Sequence, residues 1–118
     1  MKKTDATPLG KIRRYLDKAW TFKSNVVTFG KNEGLRHFLK KAEICYRLRE
    51  MGLPFYTEAK FYYNKGKADI LTCVYGEGLV IEVLDSEEQR SVELKREKYP
   101  ARIVQISVNQ EFKEELIL

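Results

Sequence analysis

Glu82 interrupts the apolar run from Leu79 to Leu84 and stands where an unpaired carboxylate would be costly. Asp69 lies one tight turn upstream, in Gly66-Lys67-Ala68-Asp69-Ile70-Leu71. If these two segments are neighbouring antiparallel strands, both carboxylates reach the same edge of a sheet and can share a divalent ion. Oxygen donors suit Mg²⁺ or Mn²⁺. Such a cation offsets charge developing on phosphoryl oxygens and lowers the pKa of an attacking water, which is what phosphodiester hydrolysis needs. Plainer readings stand beside this one. An Asp after a hairpin turn is commonly a turn former, and Glu82 can equally be satisfied by an ion pair with an Arg or Lys.

Several elements must position this pair. Thr7-Pro8 opens a helix over about 8–20, with Leu9, Ile12, Leu16 and Trp20 at helical spacing. Residues 24–29 read as a short strand or extended connector ending at Gly30. Asn32 can cap a longer helix in which Leu35, Phe38, Leu39, Ala42, Cys45, Tyr46 and Arg49 fall on one side, and Gly52 and Pro54 end it. Phe55–Tyr63, Ala68–Tyr75 and Leu79–Leu84, separated by glycine-bearing turns, predict a three-strand meander. Ser86 can cap a helix over about 87–98, closed by Tyr99-Pro100. Ala101–Val108 then predicts a strand parallel to the third, because a strand–helix–strand connection returns by a right-handed crossover. Residues 112–118 add a short closing helix.

The resulting order α-β-β-β-α-β, with Asp69 opening the second strand and Glu82 inside the third, resembles the core of the PD-(D/E)xK nuclease superfamily. That superfamily includes Holliday-junction resolvases and archaeal or viral nuclease-like proteins. The resemblance covers roughly residues 33–108. It implies an α/β fold with a restriction-endonuclease-like core, a central mixed sheet flanked by helices. It also implies a divalent-metal-dependent nuclease acting on DNA, including structured or branched DNA, with Asp69 and Glu82 as metal-binding carboxylates. A third acid from the preceding helix is common in the superfamily. Glu43 fits that place at the border of the apolar face, Glu33 and Glu50 fit it less well, and Glu58 in the first strand is a further ligand or support.

This chain departs from the family at position 84, where Leu84 replaces the lysine that follows the glutamate by two residues. That lysine positions the nucleophile and stabilises the charged transition state, roles leucine cannot fill. Lys60, Lys67, Gln89 and Lys95 are the candidate substitutes, and Lys67 shares a strand face with Asp69. A second local resemblance is the Glu-Val strand at Glu82-Val83, the Ser86-Glu87 turn and the Lys-rich helix ending in Tyr99-Pro100, as in other nuclease-like proteins. The alternative expectation is a catalytically impaired nuclease fold serving as a nucleic-acid-binding or assembly module. A protein-interaction domain with no nucleic-acid role is a third.

The 118 residues fit one domain, with residues 1–31 as an N-terminal extension, 32–108 as the core and 109–118 as a tail or short helix. Lys plus Arg number 22 against 17 Asp plus Glu, a net charge of +5 that is compatible with DNA as partner. Lys40, Lys41, Lys60, Ser86 and Lys95 are the residues expected to meet phosphates, with helix capping the plainer role for Ser86 and solvated faces the plainer reading of the basic residues. His37 precedes the basic pair Lys40 and Lys41, and an isolated histidine on a charged helix is commonly solvated surface. Tyr62, Tyr63 and Tyr75 can stack on bases, but aromatic strand residues are commonly core. Cys45 and Cys73 lack CxxC spacing and read as buried free thiols; a single histidine argues against a Cys/His zinc site. No apolar run is long enough for a bilayer, and the start Met1-Lys2-Lys3 lacks a secretory pattern, so the expected location is cytoplasmic. The charge-rich, Lys- and Glu-rich composition favours a thermophilic source as an expectation. Related resolvases pair symmetrically, so the resemblance also implies a homodimer, though no residue pattern marks its interface.

Overall fold

A computed structural model describes residues 8–17, 23–62, 66–85 and 99–118. Helix α1 (Pro8–Arg13) and helix α2 (Leu35–Glu50) precede strands β1 (Phe55–Lys60), β2 (Lys67–Val74), β3 (Glu77–Leu84) and β4 (Arg102–Ser107). A 3-10 turn at Glu114–Leu116 follows. The strands form one mixed sheet in the order β1-β2-β3-β4, with β1, β2 and β3 antiparallel in turn and β4 parallel to β3. The meander and the parallel return strand agree with the expectation from sequence; the helix expected over 87–98 lies outside the described residues, with Ser86, Gln89 and Lys95. Among the described residues no helix is long and apolar enough to cross a membrane.

Each sheet face carries a core. On one, Ile44, Cys45 and Leu48 of α2 pack on Ile70, Val74, Leu79, Ile81 and Val83, joined by Phe112 and Ile117. On the other, Ile12 and Leu16 pack on Tyr56, Leu71, Cys73 and Val80. Both cysteines are buried free thiols, and burial pushes the Cys45 thiol up to about 12.

Several boundaries differ from the sequence reading. Residues 24–29 form no strand; the Thr28 N–H instead donates to Thr57 Oγ1 of β1, whose hydroxyl donates to the Val26 carbonyl. Helix α2 starts after Gly34, and Asn32 takes a left-handed conformation (φ 63°) in the loop before it rather than acting as the cap. The turn between β2 and β3 is centred on Tyr75-Gly76, both at positive φ, the geometry a two-residue hairpin needs. Tyr75 is therefore a turn residue, 82% exposed, and not core.

The orientation of α2 also differs. Its inward side carries Lys41, Ile44, Cys45 and Leu48, while Leu35, Leu39 and Tyr46 face solvent. The apolar count alone does not decide between the two sides, since each carries three large apolar or thiol residues. Three charged or titratable residues, Glu33, His37 and Lys41, lie on the inward side because partners from the sheet satisfy them there.

Candidate active site at the fork of the sheet

β2 and β3 do not pair along their whole length. Their register runs from Val74↔Glu77 to Ile70↔Ile81 and stops. Beyond that point β2 pairs only with β1 (Ala59↔Ala68, Lys60↔Lys67), and β3 only with β4 (Glu82↔Gln105 onward). The sheet forks, and the first residues past the split are Asp69 and Glu82.

Side-chain alternation breaks at the same level. In β1, Tyr56 and Ala59 both face the α1 side, although they are three apart, because Glu58 between them adopts φ 50°. In β2, Leu71 and Ala68 repeat the pattern around Asp69. A regular strand would turn Glu58 and Tyr56 to one face. The left-handed residue instead turns Glu58 towards α2, at a backbone cost of order 1–3 kcal/mol for a non-glycine residue.

Three cations meet four carboxylates in the fork. The Lys41 ammonium, fully buried, donates to Glu33 Oε1 at 2.8 Å, to Glu58 Oε2 at 3.3 Å and to the Thr28 carbonyl. Lys67 pairs with the other oxygen of Glu58 at 2.9 Å. His37 Nδ1 contacts Glu33 Oε2, and its Nε2 lies 3.3 Å from Asp69 Oδ2 and 3.1 Å from the Val83 carbonyl. The Asp69 hydrogen bond draws the imidazole up to about 9 against its burial, with Glu33 adding to the effect. Both ring nitrogens then carry hydrogen at neutral pH, one for each acid.

Asp69 takes the Val83 N–H on Oδ2 at 2.9 Å, a donor that the ladder loses where the strands part. Burial raises the Asp69 carboxyl, but the bonds from His37, Glu82 and Val83 outweigh it and hold the group below the usual carboxylate range. Burial likewise raises Glu33, and the Gly30 N–H, Lys41 and His37 reverse this. On the far side of the fork, Tyr99 OH lies 2.6 Å from the Lys67 carbonyl and 2.9 Å from Glu82 Oε1, so a single phenolic hydrogen serves both acceptors. Burial, with the negative charge of Glu82 beside it, pushes the Tyr99 hydroxyl far above its ordinary range.

Asp69 and Glu82 face each other's charge across the fork; Glu82 is 2% exposed, and the Asp69 side chain is 20% exposed. Two carboxylates this close need a proton, a cation or donors beside them; His37 supplies the charge at Asp69 and the Tyr99 hydroxyl donates to Glu82. As hard oxygen donors the two carboxylates suit a divalent ion by chemistry, with His37 Nε2 standing between Asp69 Oδ2 and the Val83 carbonyl. Among the described residues, no three His, Cys, Asp or Glu side chains are gathered as a ready metal cage. The α2 side of the fork opens into a pocket of about 690 Å³ whose lining includes Lys31, Arg36, His37, Glu58, Lys67 and Asp69.

The structure thus brings together Asp69, Glu82, Glu58 and Lys67 of the residues singled out from sequence. Lys41 belongs to the cluster as a buried counter-ion, out of reach of a phosphate backbone. Glu43 does not join it: half-exposed on α2, it pairs with Lys40 at 3.4 Å. Lys60 is exposed and faces Asp17 at 3.7 Å. Glu33, His37 and Tyr99 are additions. The first two had a visible signal, since Glu33, His37 and Lys41 recur at four-residue spacing, continuing into Cys45 on the inward side. Nothing local marks Tyr99. Comparison with family models, curated proteins and solved structures finds no match to this chain.

Proposed function

We propose that this chain is a divalent-metal-dependent nuclease of the restriction-endonuclease-like fold, hydrolysing phosphodiester bonds in DNA. The observation that carries the reading is the placement of Asp69 and Glu82 as the first residues past the fork of β2 and β3, where a pocket lined by Asp69 and the cations Lys31, Arg36 and Lys67 opens. The strand order β1-β2-β3-β4 with a parallel fourth strand supports the same fold. Asp69, Glu82 and the Val83 carbonyl would hold Mg²⁺ or Mn²⁺, with His37 next to them as a further donor once its Nε2 is deprotonated. When bound, the ion supplies charge stabilisation and an acidified water. Lys67 replaces the lysine missing at position 84. Of the basic residues on the pocket wall it is the one on the strand that carries Asp69, and its Glu58 partner holds it there. Tyr99 orients Glu82, and Lys41 holds Glu33 and Glu58 in place.

The test is cleavage of single-stranded, duplex and branched DNA in Mg²⁺ or Mn²⁺. Asp69→Asn and Glu82→Gln should each lower the rate by about a hundredfold or more, and Lys67→Met by about ten- to a hundredfold, with unchanged circular dichroism. Undiminished cleavage by Asp69→Asn would sink the assignment.

A second reading, a nuclease fold that binds nucleic acid or serves assembly without cutting, is favoured by one observation. His37, Lys41 and Lys67 already neutralise most of the carboxylates, and no buried side-chain polar atom among the described residues lacks a partner. It predicts salt-sensitive DNA binding with no turnover in either metal, even with enzyme equal to substrate.

A further inference from the structure

The loop from Thr28 to Glu33 is tied to the fork along its length. Lys41 donates to the Thr28 carbonyl, the Thr28 N–H reaches Thr57 Oγ1 at 2.9 Å, and the Gly30 N–H reaches Glu33 Oε1 at 2.9 Å. A Cβ on Gly30 would meet Glu58 Oε1 at 2.6 Å, so the loop backbone lies directly against the site. Between these anchors stands Phe29, 72% exposed. Its ring stacks on Phe38 with centroids 4.1 Å apart and planes 17° from parallel. Phe38 in turn follows His37 on α2 and lies 5.4 Å from the Lys41 ammonium. The groups that build the site therefore also fix the plane of Phe29. One ring face rests on Phe38 and the other is open to water.

An exposed phenylalanine alone is ordinary surface. An aromatic ring held in a set plane beside an exposed lysine is different: any base can stack on it while the adjoining phosphate meets that ammonium, although the pocket beyond also carries Glu33, Glu58, Asp69 and Asp85. Lys31, exposed and two residues on, lines that pocket and has no ion-pair partner among the described residues. We propose that the outer face of Phe29 stacks an unpaired base of a DNA strand whose neighbouring phosphate enters the pocket. The ligand's identity rests on the nuclease reading above, and the inference narrows it to single-stranded or locally unpaired DNA. The competing occupant is a second copy of this chain, laid on Phe29 and the solvent-facing stripe Leu35, Leu39 and Tyr46. Charge favours the strand: Arg36 and Lys67 are paired with Asp85 and Glu58, but Lys31 beside Phe29 is not paired among the described residues, and a second copy would bring another +5 towards it.

The full chain is titrated in EDTA, so that binding is read without cleavage, against fluorescein-labelled oligodeoxythymidine, oligouridine and a blunt DNA duplex of equal length. Phe29→Ala should weaken oligodeoxythymidine binding by about five- to a hundredfold, the range one stacked base is worth, and leave duplex binding unchanged. Phe29→Trp should keep the affinity and show indole emission quenched by the bound strand. Circular dichroism checks that both variants fold. The inference is overturned by any of four results: no strand binding by the wild type, equal binding by Phe29→Ala, an equal loss on the duplex, or preference for oligouridine. It is also overturned by a wild-type dimer that Phe29→Ala dissociates in sedimentation. Stacking without metal-dependent cleavage defeats only the nuclease reading; cleavage without a Phe29 effect defeats only this one.

Discussion

The two ends of the β2–β3 pair are built on opposite terms. From Ile70↔Ile81 to Val74↔Glu77 the strands are zipped, their side chains are almost all apolar, and a tight turn closes them. Below Ile70 the same strands part, and the gap is filled by ionised groups that bond one another and the backbone. Hydrophobic burial is non-directional and tolerates approximate shapes, whereas buried ions need each partner in place. The zipped end therefore supplies cohesion, and the fork supplies chemistry that depends on it for alignment.

This contrast should show most strongly at Lys41. Lys41→Met leaves Glu33 and Glu58 buried without their shared cation and should cost about 3–5 kcal/mol in a denaturant melt. At the zipped end, Leu71→Ala should cost about 2–5 kcal/mol through its cavity alone. A Lys41→Met protein as stable as the wild type would mean that charge pairing does not hold the fork. The two losses also differ in salt response, since only a change in the charged cluster alters the dependence on ionic strength.

Tyr99→Phe removes the hydroxyl that bridges the Lys67 carbonyl and Glu82, and should cost about 1–3 kcal/mol in the same melt. Alkaline pH probes the other branch. His37 titrates at about 9 folded against 6.5 unpaired, so its contribution is full below pH 6.5 and is lost as pH rises through 9. Melts of wild type and His37→Gln should differ by on the order of 1–2 kcal/mol at low pH, after discounting for solvent reaching the ring, and converge in alkali. A constant gap would remove the charged imidazole from the account. The smallest effect belongs to the turn: Gly76→Ala, at φ 79°, should cost about 1 kcal/mol and leave metal or DNA binding untouched.

Much of the architecture was legible because it follows from local pattern. The meander shows in runs of β-favouring residues split by Asn64-Lys65-Gly66 and Gly76, and the end of α2 shows in Gly52 and Pro54. Glu82 was legible as a site residue because a carboxylate amid Val80, Ile81 and Val83 demands a partner. Glu43 misled because the apolar residues of α2 form two stripes of equal count, Leu35, Leu39 and Tyr46 outward and Ile44, Cys45 and Leu48 inward. Charged residues on the inward side of a helix look like surface until their partners from other strands are known.

Sequence by itself determined the order of the strands, the parallel return of β4 and the burden that Asp69 and Glu82 place on their surroundings, since these depend on residues close along the chain or on chain-wide rules of handedness. Only the tertiary structure decided where β2 and β3 part, which way α2 faces, and that Glu33, His37 and Lys41 meet Glu58 and Asp69 there. Those outcomes turn on which buried charges can satisfy one another across distant segments, a property of pairs in space that no local run of residues contains.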